Sequence, residues 1–215
     1  AGMNVKGMTK IIENIPSRNH TEIMLKHLGA NLNVDNNVIS LTSPNFLKRK
    51  DLYIPGAFSS AAFVIVAVLL SVKSKVKIKE VGLNYYRIGL LEVLKKMNAK
   101  ILVNNKRKFN GEVVGDIEVQ SSNLLGITVR KQISPRLIDE YPILFVMAAL
   151  IKGTSSFKGI NDLTNKESNR ILEMQKILNQ INVKSKFLKD ELKIFGQGMI
   201  NASNKIIKVP NRGDH

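Results

Sequence analysis

Cysteine is absent from the sequence, which excludes disulfide bonds, thiolate metal sites and a cysteine nucleophile within these residues. Histidine is scarce, and His20, His27 and His215 are too dispersed to indicate a zinc site. Long hydrophobic runs are also missing, since the longest, around residues 61–70 and 141–151, reach only about ten residues, and a membrane-spanning helix needs about twenty. We therefore expect a folded cytoplasmic protein with no membrane contact and no metal.

Aromatic residues are few and acidic residues are outnumbered. The 215 residues are 6% aromatic, and 33 Lys and Arg against 17 Asp and Glu give a formal net charge of +16. Such an excess attracts anions, but nucleic-acid binding normally combines clustered basic residues with aromatic stacking platforms. The lysines here are scattered, so a solvated basic surface explains them equally well. We expect small phosphorylated or carboxylated partners and no nucleic acid.

One pattern, a helix followed by a strand, occurs three times. The segments are IMLKHLGANLNV from Ile23, EVLKKMNAKILV from Glu92 and KILNQINVKSKF from Lys176. Each has apolar residues at helical i, i+3 spacing that give way to strand-like alternation. The apolar segments from Ala61 and Tyr141 resemble each other too, and each leads into a β-branched strand. Repeated units of this kind predict an α/β fold with helices covered by sheets.

Arg18, Arg87 and Arg170 each stand just ahead of one apolar stripe. A helix start already favours anions through its free amide groups and dipole, so an arginine there can complete a phosphate or carboxylate site. A surface arginine paired with a nearby acid remains the alternative for each. Near residues 50–56 a polar stretch changes to Pro-Gly and a Ser-rich helix start, which predicts a domain crossing after residue 52.

Two polar segments could carry chemistry. In PRLIDEYP, Asp139 precedes an apolar helix, where it could simply cap the helix. In LTNKESNR, Thr164 and Glu167 have the spacing of a capping box, and Lys166 and Arg170 would project from one face of the new helix. Neither segment identifies a function alone.

Five segments together resemble the 5-enolpyruvylshikimate-3-phosphate synthase family, in that family's order and spacing. They are PSRNHTE from residue 16, IPGAFSSAAF from residue 54, PRLIDEYP from residue 135, NKESNR from residue 165 and RGDH from residue 212. The resemblance implies the α/β enolpyruvyl transferase fold, an inside-out α/β barrel with two domains of repeated βαβαββ units, here incomplete. Residues 1–52 would be the C-terminal part of one domain, and residues 53–215 most of the second, truncated before its last unit ends.

The resemblance also implies a reaction. The enolpyruvyl group of phosphoenolpyruvate would pass to the 5-hydroxyl of shikimate 3-phosphate by addition and elimination, with release of phosphate and without a cofactor. Asp139 would take the hydroxyl proton and help bind shikimate 3-phosphate. Lys166 would contact the reacting groups, and Glu167 would assist proton transfer at the methylene carbon. Arg170 would hold phosphoenolpyruvate, and Arg18 the shikimate substrate.

Some positions depart from the family pattern. Ala57 replaces the Asp that follows Pro-Gly, and Asn19 and Asn169 replace Asp at peripheral motif positions. A family member is about twice this length by resemblance, so we expect this polypeptide alone to be inactive and a full-length parent to be an active monomer. Two alternatives stay open: the related UDP-N-acetylglucosamine enolpyruvyl transferase, and a noncatalytic basic module that binds polyanions.

Overall fold

The computed structural model describes residues 2–43, 46–165, 168–198 and 207–209. The α-helices in these ranges are α1 His20–His27, α2 Phe58–Leu70, α3 Gly89–Lys96, α4 Tyr141–Leu150 and α5 Arg170–Gln180. The strands are β1 Gly7–Ile12, β2 Leu32–Asp35, β3 Val38–Ser43, β4 Lys75–Gly82, β5 Lys100–Phe109, β6 Glu112–Gln120, β7 Thr128–Val129, β8 Lys152–Lys158, β9 Ser185–Leu188 and β10 Glu191–Gln197. Short 3₁₀ turns occupy Gly2–Asn4, Lys131–Arg136 and Asn161–Thr164.

The three sheets within the described ranges share one strand order, which confirms the repeat. The orders are β1-β3-β2, β4-β6-β5 and β8-β10-β9, and all of these pairings are antiparallel. In each unit the first strand precedes a helix (α1, α3 or α5), and the other two strands follow it. β7 adds parallel to β8, so the last unit reads βαβαββ. In the middle unit, Gly56 makes the corresponding parallel bridge to Val81.

The helices α1, α3 and α5 also end alike. One residue after each C-cap takes a positive φ, and a Schellman hydrogen bond then closes the helix. The positive-φ residues are Gly29, Asn98 and Asn182, at 94°, 69° and 59°. The next peptide N–H donates to the carbonyl oxygen five residues earlier, from Ala30, Ala99 and Val183 to Leu25, Leu94 and Leu178, at 2.9, 3.0 and 2.9 Å. Glycine and asparagine tolerate this backbone conformation best.

The apolar helices α2 and α4 form the centre of the core and contact each other. Tyr141 and Phe145 of α4 meet Phe157 of β8 in a fully buried aromatic cluster, with ring centroids 5.0 to 6.0 Å apart. Burial on nearly all sides explains why α4 is apolar around its circumference, whereas α2 leaves Phe63 and Val64 exposed at 59% and 44%. No helix within the described residues is long and apolar enough to cross a membrane.

Asp116 on the central strand β6 holds two irregular points of its sheet. The strand register shifts in β4 between Ile78 and Val81 and in β5 between Asn104 and Arg107. At these bulges Glu80 and Asn105 take positive φ values. The Asp116 carboxylate accepts a hydrogen bond from the Glu80 amide at 3.1 Å and from the Asn105 side chain at 2.9 Å. The Asp116 side chain thereby binds the Glu80 amide, which the disrupted strand pairing leaves available, and the Asn105 side chain.

Candidate active site

Asp139 does not cap helix α4, so the interpretation of this residue as a simple cap is wrong. Glu140 occupies the N-cap position without a side-chain capping bond, and Pro142 lies in the first turn. The preceding 3₁₀ turn and this tight helix start direct the Asp139 carboxylate toward arginines from other units. The structure therefore gives this carboxylate an electrostatic environment that the local sequence does not reveal.

Three arginines from equivalent positions of the three units lie around Asp139. Arg18 Nη2 and Arg87 Nη1 both lie on Asp139 Oδ2, at 2.5 and 2.6 Å. Arg170, the first residue of α5, is close enough for its charge to act on the same carboxylate. The predicted position of each arginine at the start of its helix is confirmed. Their convergence on one carboxylate follows from the docking of the three units.

The electrostatics of Asp139 favour its ionised form. Burial opposes ionisation, but the hydrogen bond from Arg87 and the charges of Arg18, Arg87 and Arg170 together outweigh it and lower the pKa of Asp139 below its ordinary value. The side chain keeps 30% of its surface exposed, so a ligand can reach it. Asp139 is therefore a charged and accessible hydrogen-bond acceptor at neutral pH.

The neighbouring Glu140 has the opposite character. Its side chain is 2% exposed, and burial raises its pKa in spite of the hydrogen bond from Ser59 and the charge of Arg87. Ser59 of α2 donates to Glu140 Oε1 at 2.5 Å, and Arg87 Nη2 donates to the Ser59 hydroxyl at 2.6 Å. Adjacent carboxyl groups with pKa values moved apart are a common arrangement in acid–base sites. The sequence motifs assigned no role to Ser59 or Glu140, although the two residues lie inside IPGAFSSAAF and PRLIDEYP.

The LTNKESNR segment differs from its predicted form. The predicted helix start after Thr164 is wrong, because Thr164 closes a 3₁₀ turn and its hydroxyl donates to the Asn161 carbonyl at 2.7 Å. Helix α5 starts at Arg170, and Asn169 is its cap, with Oδ1 accepting from the Leu172 amide at 3.0 Å. Lys166 and Glu167, and the RGDH segment, lie outside the described residues.

A cavity of about 440 Å³ adjoins the arginine cluster. Arg18 and Arg87 lie on its wall, and most of its remaining surface comes from α1, from residues 52–58 and from the β5–β6 turn. Polar contacts link the two sides: Asn84 donates to Asn19 at 2.8 Å, and His20 Nδ1 lies 2.5 Å from Glu112 Oε1. These contacts hold α1, and with it Arg18, against the middle unit.

The arrangement can bind anions and accept a proton. Three guanidinium groups around one partly exposed carboxylate can take up phosphate or carboxylate groups, which arginine binds through directed hydrogen bonds. The described part of the chain contains no group of three or more His, Cys, Asp or Glu residues that could hold a metal ion.

Comparisons with known proteins give the family of the chain. The family model described as EPSP synthase (3-phosphoshikimate 1-carboxyvinyltransferase) matches residues 1–209. Relatives named 3-phosphoshikimate 1-carboxyvinyltransferase include one from Clostridium tetani, 37% identical over 100% of this chain and 48% of the relative. Another, from Zymomonas mobilis, is 39% identical over 100% of this chain and 49% of the relative. The chain spans about half the length of these curated relatives.

Solved structures give the same result. EPSP synthase from Acinetobacter baumannii superposes with a TM-score of 0.86 at 35% identity, over 92% of this chain and 44% of that one. The enolpyruvyl transferase NikO from Streptomyces tendae superposes with a TM-score of 0.65 at 14% identity, over 91% of this chain and 44% of that one, which shows the fold alone. The predicted enolpyruvyl transferase fold is confirmed, and with the family model spanning residues 1–209, the chain belongs to the EPSP synthase family.

Proposed function

We propose that this chain supplies part of the active site of an enzyme that transfers the enolpyruvyl group of phosphoenolpyruvate to the 5-hydroxyl of shikimate 3-phosphate. The observation that carries the proposal is the Asp139 carboxylate among Arg18, Arg87 and Arg170. Both substrates bear phosphate and carboxylate groups, which match guanidinium partners. The family relationship supports the same substrates.

In the proposed reaction Asp139 accepts the proton of the 5-hydroxyl while that oxygen bonds to C2 of phosphoenolpyruvate. The methylene carbon gains a proton in the same addition, for which the family resemblance assigns Glu167, with Lys166 at the reacting groups. Elimination then returns a proton from the new methyl group to the group that donated it, the bond between C2 and the phosphate oxygen breaks, and the leaving phosphate takes the proton that Asp139 accepted. Phosphate leaves, and the arginines stabilise negative charge in both steps.

The arginines have separate roles in this proposal. Arg18, whose side chain is 44% exposed, binds an anionic group of the shikimate substrate. Arg170, at the first position of α5, holds phosphoenolpyruvate with the help of the helix N-terminus. Each substrate anion competes with Asp139 for its arginine, so binding releases the carboxylate toward the hydroxyl.

We propose the same domain division as above, with residues 1–52 in one domain and residues 53–215 in the second. It is supported by the described segment 46–57, which contains no helix and no strand beyond the bridge at Gly56. Opening and closing about this segment would move Arg18 relative to Asp139. We further propose that the full-length enzyme is a cytoplasmic monomer. Its two small-molecule substrates suffice for the reaction, so neither nucleic acid nor a membrane takes part.

The test uses a chain of family length, in which residues 1–215 replace the corresponding half of the Clostridium tetani relative. Titration calorimetry measures binding of shikimate 3-phosphate, and a phosphate-release assay measures turnover with phosphoenolpyruvate. Asp139→Ala is expected to lower turnover by about 10²–10⁴-fold, the usual contribution of a positioned base. A folded graft that fails to bind shikimate 3-phosphate, or that turns over UDP-N-acetylglucosamine instead, would refute the proposal. Full turnover by Asp139→Ala would refute the role of Asp139.

A further inference from the structure

Arg87 differs from the other two arginines around Asp139 in its surroundings. Its side chain is 18% exposed, whereas that of Arg18 is 44% exposed. The sequence motifs that assign substrate contacts to Arg18 and Arg170 leave Arg87 without a role. Arg87 lies on the wall of the cavity, as Arg18 does, but its lower exposure and its bonds to two side chains of the site favour a role in holding those side chains.

The contacts of Arg87 link both carboxyl groups of the site. Its Nη1 donates to Asp139 Oδ2 at 2.6 Å, and its Nη2 donates to the Ser59 hydroxyl at 2.6 Å. Ser59 in turn donates to Glu140 Oε1 at 2.5 Å, and Arg87 Nη2 lies 3.9 Å from that oxygen. The result is a continuous chain of hydrogen bonds from Asp139 through Arg87 and Ser59 to Glu140.

The backbone around Arg87 fixes this side chain in place. The Arg87 amide donates to the Asn84 carbonyl at 2.9 Å, which forms a turn immediately before α3. Gly89, the first residue of α3, lies so close to the Arg136 backbone that an added Cβ would be 2.9 Å from the Arg136 carbonyl oxygen. These contacts place the Arg87 backbone, and the planar fork of its guanidinium loses less side-chain entropy per hydrogen bond when it forms two directed bonds.

We propose that Arg87 is a positioning residue: it holds the Asp139 carboxylate in its reactive orientation after substrate anions have taken Arg18 and Arg170. This inference rests on the proposed function. A lysine at the same position would preserve the charge, but its ammonium on a flexible stem lacks the fixed planar fork with which Arg87 contacts Asp139 and Ser59. Arg87→Lys and Arg87→Gln therefore separate the effect of geometry from the effect of charge.

The charged groups that face Asp139 among the described residues are Arg18, Arg87, Arg170 and Glu140. The three arginines lower the pKa of Asp139, and Arg87 does so both by its hydrogen bond and by its charge. Loss of one close cation raises a carboxyl pKa by about one unit or more. The titration of Asp139 thus reports directly whether Arg87 holds it.

The first measurement is a carbon-13 carboxyl titration of Asp139 by NMR in the 215-residue chain, with and without inorganic phosphate as the anion. In wild type we expect the Asp139 pKa to stay below its ordinary value when phosphate occupies the exposed arginines. In Arg87→Gln we expect it to rise by about one unit, and further with phosphate. Arg87→Lys should restore most of the low pKa. An Asp139 titration that is the same in wild type and Arg87→Gln would overturn the proposal.

The second measurement follows kinetics in the family-length graft. Arg87→Gln and Arg87→Lys are both expected to lower kcat by about 10²-fold, the cost of a small misplacement of a reacting group, with KM values within about threefold of wild type. Arg18→Gln should instead raise the KM for shikimate 3-phosphate. A raised KM with unchanged kcat in both Arg87 variants would make Arg87 a binding residue and overturn the proposal. If the graft without further substitutions shows no turnover, the proposed function fails. The NMR titration still shows whether Arg87 holds the Asp139 carboxylate.

Discussion

Helix α2 begins after Ala57 without any side-chain cap, which makes Ala57→Asp an informative substitution. Ala57 has φ −67° and ψ 124°, the extended conformation that N-cap residues normally take. The 13-residue helix has no acidic residue in its first turn, so its N-terminal amide groups have no local anionic partner. Ala57 lies on the wall of the cavity, which leaves room for a carboxylate.

The expected gain can be worked out from two contributions. An aspartate N-cap in place of alanine contributes about 1 kcal/mol through its hydrogen bond to an amide of the first turn. The interaction of its charge with the helix dipole adds about 0.3–1 kcal/mol at low salt. The sum is about 1–2 kcal/mol, and each kcal/mol shifts the Tm of a chain of this size by about 2–4 °C.

Thermal unfolding followed by circular dichroism in low salt and in 1 M NaCl measures both contributions. Ala57→Asn is the matched control, because it provides the capping oxygen without the charge. We expect Asp to raise the Tm more than Asn in low salt, and the two variants to converge in 1 M NaCl, where charge interactions are screened. If neither variant has a higher Tm than wild type, the capping argument is refuted. A loss with Asp and a gain with Asn would show that the new carboxylate draws Arg18 or Arg87 away from Asp139.

Three further predictions concern stability. Asn169→Ala removes the side-chain oxygen that caps α5 at the Leu172 amide, and denaturant unfolding should show a loss of about 1 kcal/mol, which Asn169→Asp should avoid. Phe157→Ala empties the centre of the buried aromatic cluster, so the same measurement should show a loss of about 3–5 kcal/mol; a loss below 1 kcal/mol would contradict the described packing. The hydrogen bonds to Asp116 lower its pKa to about 2. Ionised Asp116 should therefore stabilise the fold fully above its unfolded pKa near 3.8, and this contribution should disappear as the pH falls through about 2. In the Asp116→Asn variant the free energy of unfolding should change less with pH in that window.

Much of the fold could be predicted from the sequence because the pattern repeats. The apolar stripes located α1, α3 and α5, and the continuous apolar runs located α2 and α4. Helices α3 and α5 bury their stripes, whereas α1 has no buried residue among those described. The segment LLGITVR from residue 124 is typical of a strand, but only Thr128 and Val129 pair with β8. The predicted capping box at Thr164 is wrong because Asn169, directly before the first residue of α5, caps the helix instead.

The site could be predicted only in part. The motifs singled out Arg18, Asp139 and Arg170, which lie together in the structure. The partner of Arg87 depends on how two units dock, and no local pattern encodes that docking. The burial of Glu140 has the same origin, because its partner Ser59 is 81 residues away along the chain. The sequence alone does not distinguish these two adjacent acids. In the folded chain Asp139 is partly exposed to solvent, whereas Glu140 is buried against the Ser59 hydroxyl.

The position of Asp139 between units has a consequence for folding. Arg87 and Arg18 precede Asp139 by 52 and 121 residues, whereas the hairpins β2–β3, β5–β6 and β9–β10 each join strands that are adjacent in sequence. Contacts across such long separations carry the larger loop-closure entropy and form late. The cluster is therefore complete only once every unit has docked, and an anion bound there stabilises the fully docked chain by mass action without acting on partly folded forms. An anion that bound this cluster would therefore favour only the last step of folding.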